Sequence, residues 1–145
     1  MPTSDDIKQI QKIDLNTGAL TSEQVNLILT NLPVDISFVD DEDKVVYYSN
    51  TKGRIFARTP AVIGRKVQNC HPSESVHMVN RIIDAFRAGK RDMAEFWIEI
   101  GGKFIHIRYF AVRDTEGRYK GCLEVSQDVT GIRALQGQRR LLDWE

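Results

Sequence analysis

Apolar residues recur along the chain with two different periods, and each change of period marks a new element. In LTSEQVNLILTNLP, Val25, Ile28, Leu29 and Leu32 follow helical spacing behind Thr21 and Gln24, which stand at capping-box spacing, and Pro33 stops the run. A short amphipathic helix is predicted there. DISFVDDEDKVVYYSN reads as two β-prone runs joined by an acidic turn at Asp40 to Asp43, which predicts a hairpin. Between Asn50 and Gln68, Gly53, Pro60 and Gly64 interrupt short apolar pieces (Ile55, Phe56, Val62, Ile63), so only brief helical turns are expected.

The clearest helical period lies in HPSESVHMVNRIIDAFRAGK, where Val76, Val79, Ile82, Ile83 and Phe86 share a stripe, Pro72 occupies the first turn and Gly89 stands just past the end. MAEFWIEI then alternates, setting Ala94, Phe96, Ile98 and Ile100 against Glu95, Trp97 and Glu99. Gly101-Gly102 turns the chain into KFIHIRYFAVRD, in which Ile105, Ile107, Tyr109 and Ala111 oppose Phe104, His106, Arg108 and Phe110. Thr115, Glu116 and Gly117 make the next turn, RYKGCLEVSQDV the last strand, and TGIRALQGQRRLLDW a final helix with Ile132, Leu135 and Leu142 on roughly one side.

This order predicts an α+β fold: a five-stranded antiparallel sheet with helices on one face and flanking N- and C-terminal helices, because the long helix must bury its stripe against the sheet. The expected division is a polar extension over 1–20, a domain with its N-terminal cap helix over 21–130, and a C-terminal helix over 131–145. The second sheet face would carry Trp97, Phe104 and Phe110 beside His106 and Arg108. Such a surface needs a cover from the flanking helices or a second subunit, which predicts a homodimer.

Composition narrows the function classes. With 145 residues and 41% hydrophobic content the chain suits one domain with a real core. Twenty basic and twenty acidic side chains cancel, which leaves no positive field for a nucleic-acid backbone. No apolar stretch approaches the roughly 20 residues that span a bilayer, and MPTSDDIKQI lacks a signal-peptide core, so no membrane partner and a cytoplasmic location are expected. Cys70 and Cys122 form no CxxC pair, in keeping with free thiols.

Several stretches resemble the PAS domain, a small sensory fold that encloses a ligand pocket. Cys70-His71-Pro72 is similar to the His-Pro that often precedes its long helix, Phe38-Val39-Asp40 with Val45 to Asn50 resembles its first hairpin, and Gln127-Asp128-Val129-Thr130 resembles its D-[IV]-T ending before a signalling helix. LPVDISFVDDEDKVVYYS, GRKVQNCHP, AEFWIEI, IRYFAVRD, LEVSQDVTGIRAL and GQRRLLDW further resemble the C-terminal PAS module of bacterial proteins that also carry a domain of unknown function and a hemerythrin-like (HHE) cation-binding domain. The resemblance implies a sensory or signal-transduction module that binds a small ligand or a protein partner; separately, the residues offer no convincing nucleophile-base pairing, phosphate-cradling glycine loop or metal-ligand spacing, so no enzyme is expected. The resemblance also implies a signal exit at Asp128 and Thr130 and a hemerythrin-like domain or signalling partner.

For a ligand pocket the apolar faces nominate Ile36, Phe38, Tyr47, Tyr48, Phe56, Val79, Ile83, Ile105, Ile107, Tyr109, Leu123 and Val125. Flavin photochemistry would need a different run around Asn69-Cys70 than the His-Pro found here. A haem or metal sensor would use His77 or Met78 on the long helix. At roughly 100° per residue, however, His77 points about 160° from the buried stripe, grouped with Glu74, Arg81 and Asp84. His71 and His77 lie about 9 Å apart along the axis, too far for one ion. Cys70, before a helix N-terminus and beside His71, is a candidate redox switch; the alternative is a small buried apolar residue. Trp97, Phe104, His106, Arg108 and Phe110 are interface candidates, with an ion pair to Glu95, Glu99 or Glu124 as the plain alternative for the two bases. No cofactor is assigned.

Overall fold

Strand alternation and turn chemistry build a five-stranded antiparallel sheet in the computed structural model, which describes residues 1, 3–4 and 11–144. Strands β3 (Asp35–Asp40), β4 (Val45–Tyr48), β5 (Met93–Ile100), β6 (Lys103–Arg113) and β7 (Tyr119–Asp128) pair in the order β4-β3-β7-β6-β5. Last strand β7 thus lies at the centre, between β3 and β6. The β3–β4 turn is fixed by Asp40, whose carboxylate accepts from the amides of Glu42 and Lys44 at 3.0 Å each, with Asp43 at φ +67°. Gly101 and Gly102, both at positive φ, close the two-residue β5–β6 turn as their spacing predicts.

Helix α1 (Ser22–Asn31) starts on the predicted capping box: the Gln24 amide donates to Thr21 Oγ1 at 3.0 Å and the Thr21 amide to Gln24 Oε1 at 2.9 Å. Helix α2 (Ser73–Arg87) follows Pro72. It ends as Gly89 turns to φ +73°, with the Gly89 amide on the Phe86 carbonyl and the Lys90 amide on the Ala85 carbonyl, a Schellman closure. Two 3-10 turns, Pro60–Val62 and Val67–Cys70, lead into it.

α2 lays Ile83 and Phe86 on one face of the sheet. Phe86 packs with Val39, Val45 and Cys122, and Val62, Val67, Ile82, Ala94, Tyr109, Ala111 and Tyr119 close around them. Burying a side chain the size of Phe86 contributes about 1.5–3 kcal/mol, and Phe86 is 1% exposed. The centre of the sheet is tight as well. A Cβ on Gly121 would stand 2.3 Å from the Val39 carbonyl oxygen and 2.7 Å from the Phe38 ring, so only glycine lets β7 approach β3 there.

The structure adds detail at the N-terminus and corrects the expectation at the C-terminus. Within the stretch expected to be a polar extension, Lys12–Asp14 (β1) and Ala19–Thr21 (β2) pair as a small hairpin, closed by the Leu15 amide on the Gly18 carbonyl; positions 2 and 5–10 of that extension lie outside the described residues. The C-terminal helix expected over 131–145 is a single turn, α3 (Thr130–Arg133). Leu135 and Leu142 are exposed, and Gly137 at φ +66° leaves helical geometry.

Candidate functional site

Strand register sorts the side chains into two faces. Ala94, Phe96 and Ile98 on β5 stand opposite Tyr109, Ile107 and Ile105 on β6; Ile107 faces Ser126, Tyr109 faces Glu124 and Ala111 faces Cys122 on β7; Ser37 and Val39 on β3 face Glu124 and Cys122. This inner face lies under α2. Between them is a cavity of about 270 Å³, lined from the sheet by Ser37, Val39, Phe96, Ile98, Ile107, Tyr109, Cys122 and Glu124 and from above by Val67, His71, Ser75, Met78, Val79, Ile82 and Ile83. Phe96 and Tyr109 meet edge to face, with ring centroids 6.0 Å apart.

Of the twelve pocket residues nominated from sequence, Val79, Ile83, Ile107 and Tyr109 line this cavity. Ile105 is buried on the same face beyond its lining. Ile36, Phe38, Leu123 and Val125 must be corrected: they pair with one another on the outer face, and Tyr47 joins them opposite Phe38. Tyr48 lies opposite Ser37 but packs against the Arg54 guanidinium, 5.4 Å from its ring centroid, and Phe56 lends its carbonyl to Arg54 Nε. His71 and Met78, nominated for other roles, also line the cavity, and missed altogether were Ser37, Val39, Val67, Ser75, Ile82, Phe96, Ile98, Cys122 and Glu124. Alternation along β5 puts Phe96 and Ile98 on this face, which is the available signal; β3 gives none, because its inner positions are Asp35, Ser37 and Val39.

Those polar inner positions have a structural cause. Buried Asp35 accepts from the Ile55 amide at 2.7 Å and from Thr51 Oγ1. Arg54 Nη2 donates to Ser37 Oγ at 2.8 Å, Nη1 to the Ser49 carbonyl at 2.9 Å, and the Ile36 amide donates to Ser49 Oγ at 2.9 Å. The irregular segment 49–56 is thereby pinned across the end of β3 by satisfied polar groups. Burial outweighs the pull of Asp35 and lowers the pKa of Arg54, though not enough to discharge a guanidinium.

His71 and Glu124 stand where this cavity meets a more polar one of about 470 Å³, lined also by Arg58, Arg65, Asn69 and Cys70. Burial lowers the His71 pKa, against the field of Glu124, so its neutral form is favoured and it is no fixed cation beside Cys70. Cys70 is exposed, its Sγ 3.7 Å from the Lys66 carbonyl oxygen. Burial pushes the Cys122 thiol up to about 12 and raises Tyr109 well above the usual phenol range, so both stay protonated and neutral. Glu124 accepts only a long contact, 3.4 Å, from Ser126 Oγ. His77 is exposed, whereas Met78 borders the cavity. Among the described residues no group of three or more His, Cys, Asp or Glu side chains could hold a metal ion, and no helix is long and apolar enough to cross a membrane.

The five interface candidates do come together. Trp97 pairs with His106, Glu95 with Arg108 and Glu99 with Phe104, and Phe110 with Leu123, all on the outer face. Trp97 is 61% exposed. His106 Nε2 meets Glu95 Oε2 at 2.6 Å, as the plain reading of that histidine expected, while Arg108 lies 5.3 Å from the Phe110 ring centroid with its Nε unpartnered. At the end of β7, Thr130 donates from its amide (3.0 Å) and hydroxyl (2.6 Å) to Asp128 Oδ1, and its hydroxyl accepts from the Phe104 amide at 2.8 Å. The Thr130 bonds hold the Asp128 carboxyl below its ordinary range. This joint ties the chain exit to the start of β6.

Comparison with known proteins places this geometry. The sequence profile of the PAS domain matches residues 25–130. The crystal structure of a C-terminal domain from Streptococcus mutans is 35% identical and superposes with a TM-score of 0.84, covering 88% of this chain and 99% of that one. A sensory box sensor histidine kinase from Vibrio cholerae (15% identity, TM-score 0.52, 73% of this chain and 90% of that one) and a PAS domain from Colwellia psychrerythraea (14%, 0.53, 75% and 97%) share the fold. Comparison with curated protein sequences gives no match.

Proposed function

The chain belongs to the PAS domain family, typical of sensory signal-transduction modules, and on that premise we propose that it is a non-catalytic sensor whose ligand occupies the cavity under α2. The observation that carries this reading is the position of the cavity against β7. Cys122 and Glu124 line it, and the same strand runs four residues further to Asp128 and the Thr130 joint. A ligand that presses on β7 therefore acts on the strand that leads out of the domain. At about 270 Å³ the space suits a small, mainly apolar molecule.

The output surface in this reading is the outer face. Trp97, Phe104 and Phe110, with Ile36, Phe38, Leu123 and Val125 behind them, form an apolar area suited to a second copy in a cytoplasmic homodimer. Likeness to a C-terminal domain supports a place in a longer protein, and the sequence resemblance alone nominates a hemerythrin-like domain as its partner. Native mass spectrometry of the protein purified from its own host tests the sensor reading. A small-molecule adduct at one per chain is expected, lost in a Val79→Phe variant that retains its melting temperature. Adduct-free protein from the host, with Val79→Phe more stable than wild type, would show a dry packing defect instead and overturn it.

A further inference from the structure

The cavity is not sealed on the β5 side. Met78, Ile82 and Phe96 line it from one side and, from the other, line a groove of about 660 Å³ between α2 and the edge strand β5. Only the thickness of these side chains separates the two spaces. Met78 and Phe96 are 39% and 36% exposed, and a methionine turns about three bonds, so this wall is the natural entrance.

The groove is apolar in its floor and positive at its rim. Arg81, Lys90 and Arg91 line it and no acidic side chain does. Among the described residues none of the three takes part in an ion pair, although Asp84 and Asp92 are near in sequence; the Asp92 carboxylate is held by Arg113 at 3.2 Å. At the far end of the cavity Glu124 is the one lining carboxylate; it also lines the adjoining polar cavity together with Arg58 and Arg65, and it lies in the field of Arg54. Its charge is offset locally, whereas the three rim cations are not. Two ligand chemistries fit an apolar cavity with charged ends, an amine held at Glu124 or an anion held at the rim, and this balance decides for the anion.

We propose that cavity and groove together bind a free single-chain aliphatic carboxylate, its alkyl chain passing between Met78 and Phe96 and its carboxylate resting among Arg81, Lys90 and Arg91. This class assignment rests on the cavity being the ligand site. Arginine can hold a carboxylate through two parallel hydrogen bonds, and the buried chain supplies most of the affinity.

Calorimetric titration of the whole chain with octanoate, decanoate, decanol and decyltrimethylammonium, each below its micelle concentration, separates the possibilities. Decanoate is expected to bind one per chain, with each added methylene tightening Kd about fourfold, the fold-change of about 0.8 kcal/mol per buried CH₂. Decanol should bind at least tenfold more weakly, and decyltrimethylammonium more weakly still. Arg81→Glu/Arg91→Glu, two exposed positions, should weaken decanoate at least tenfold and leave decanol unchanged. Decanol binding as tightly as decanoate would overturn the carboxylate class while leaving the cavity as a ligand site. Tightest binding of the ammonium would overturn it in favour of Glu124. No binding of any alkyl probe would overturn the aliphatic class, and the host adduct still decides whether the cavity binds something else. Sedimentation with phosphatidylglycerol vesicles, without decanoate binding, would assign the groove to a membrane surface and also overturn the proposal.

Discussion

Replacing Arg54 by alanine tests whether the pinned segment 49–56 holds the inner face together. The substitution removes three donors, at 2.9 Å to the Phe56 carbonyl, 2.9 Å to the Ser49 carbonyl and 2.8 Å to Ser37 Oγ. Ser49 is 0% exposed and Ser37 7%, so water does not replace the donor at those two sites, while the half-buried Phe56 carbonyl can rehydrate. Two stranded acceptors at about 1–3 kcal/mol each give about 2–6 kcal/mol. Relief of the guanidinium's own burial works the other way, because desolvation is the largest influence on Arg54, and brings the expected loss to about 2–3 kcal/mol. For a domain of this size that is a fall in Tm of about 5–10 °C. Thermal and urea unfolding followed by far-ultraviolet circular dichroism measure it, with Arg54→Lys as the control: its point donor can serve one acceptor and should recover less than half of the loss. A loss below about 1 kcal/mol for Arg54→Ala, or full recovery by lysine, would refute the network.

Two further outcomes concern titrating groups. Because burial pushes the Cys122 thiol up to about 12 while Cys70 is exposed, a disulfide reagent at pH 8 should label one thiol per native chain and the second only as urea unfolds it; two equivalents at equal rates would contradict the packing of Cys122. His71 has a folded pKa below the unfolded value of about 6.5, so the unfolded chain takes up its proton first as pH falls. The stability difference between wild type and His71→Gln should therefore be constant above about pH 7.5 and shrink from about pH 7 to 5. A difference that grows toward acid would mean that pairing with Glu124 outweighs burial.

The elements that were legible in the sequence are those whose period and termini agree. α2 combines a five-residue apolar stripe with a glycine-closed end, and both strands of the β5–β6 hairpin alternate around Gly101-Gly102. The terminal pieces were not legible, for opposite reasons. β1 and β2 bury no face, with Ile13 about half exposed and Leu20 only partly covered, so they leave no alternation to read. The last stretch has a stripe, but a stripe records only that a helix could be amphipathic. Leu135 and Leu142 remain exposed, and without a partner surface a short helix gains too little to form.

β3 shows why the candidate site was only partly legible. Alternation fixed that one set of its residues faces α2, but the inference that the apolar set does so fails at Asp35 and Ser37. A one-residue change of parity moves every side chain to the other face, and here it is decided by hydrogen bonds to residues 13 to 20 positions away: Ser49, Thr51, Arg54 and Ile55. Once those polar groups are satisfied, the apolar set Ile36 and Phe38 is free to join Leu123, Val125 and Phe110 on the outer face. The same choice leaves Glu124 lining the cavity, because β7 takes its register from β3. A cavity with one lining carboxylate and an outer face rich in aromatic groups are thus two results of a single decision at β3.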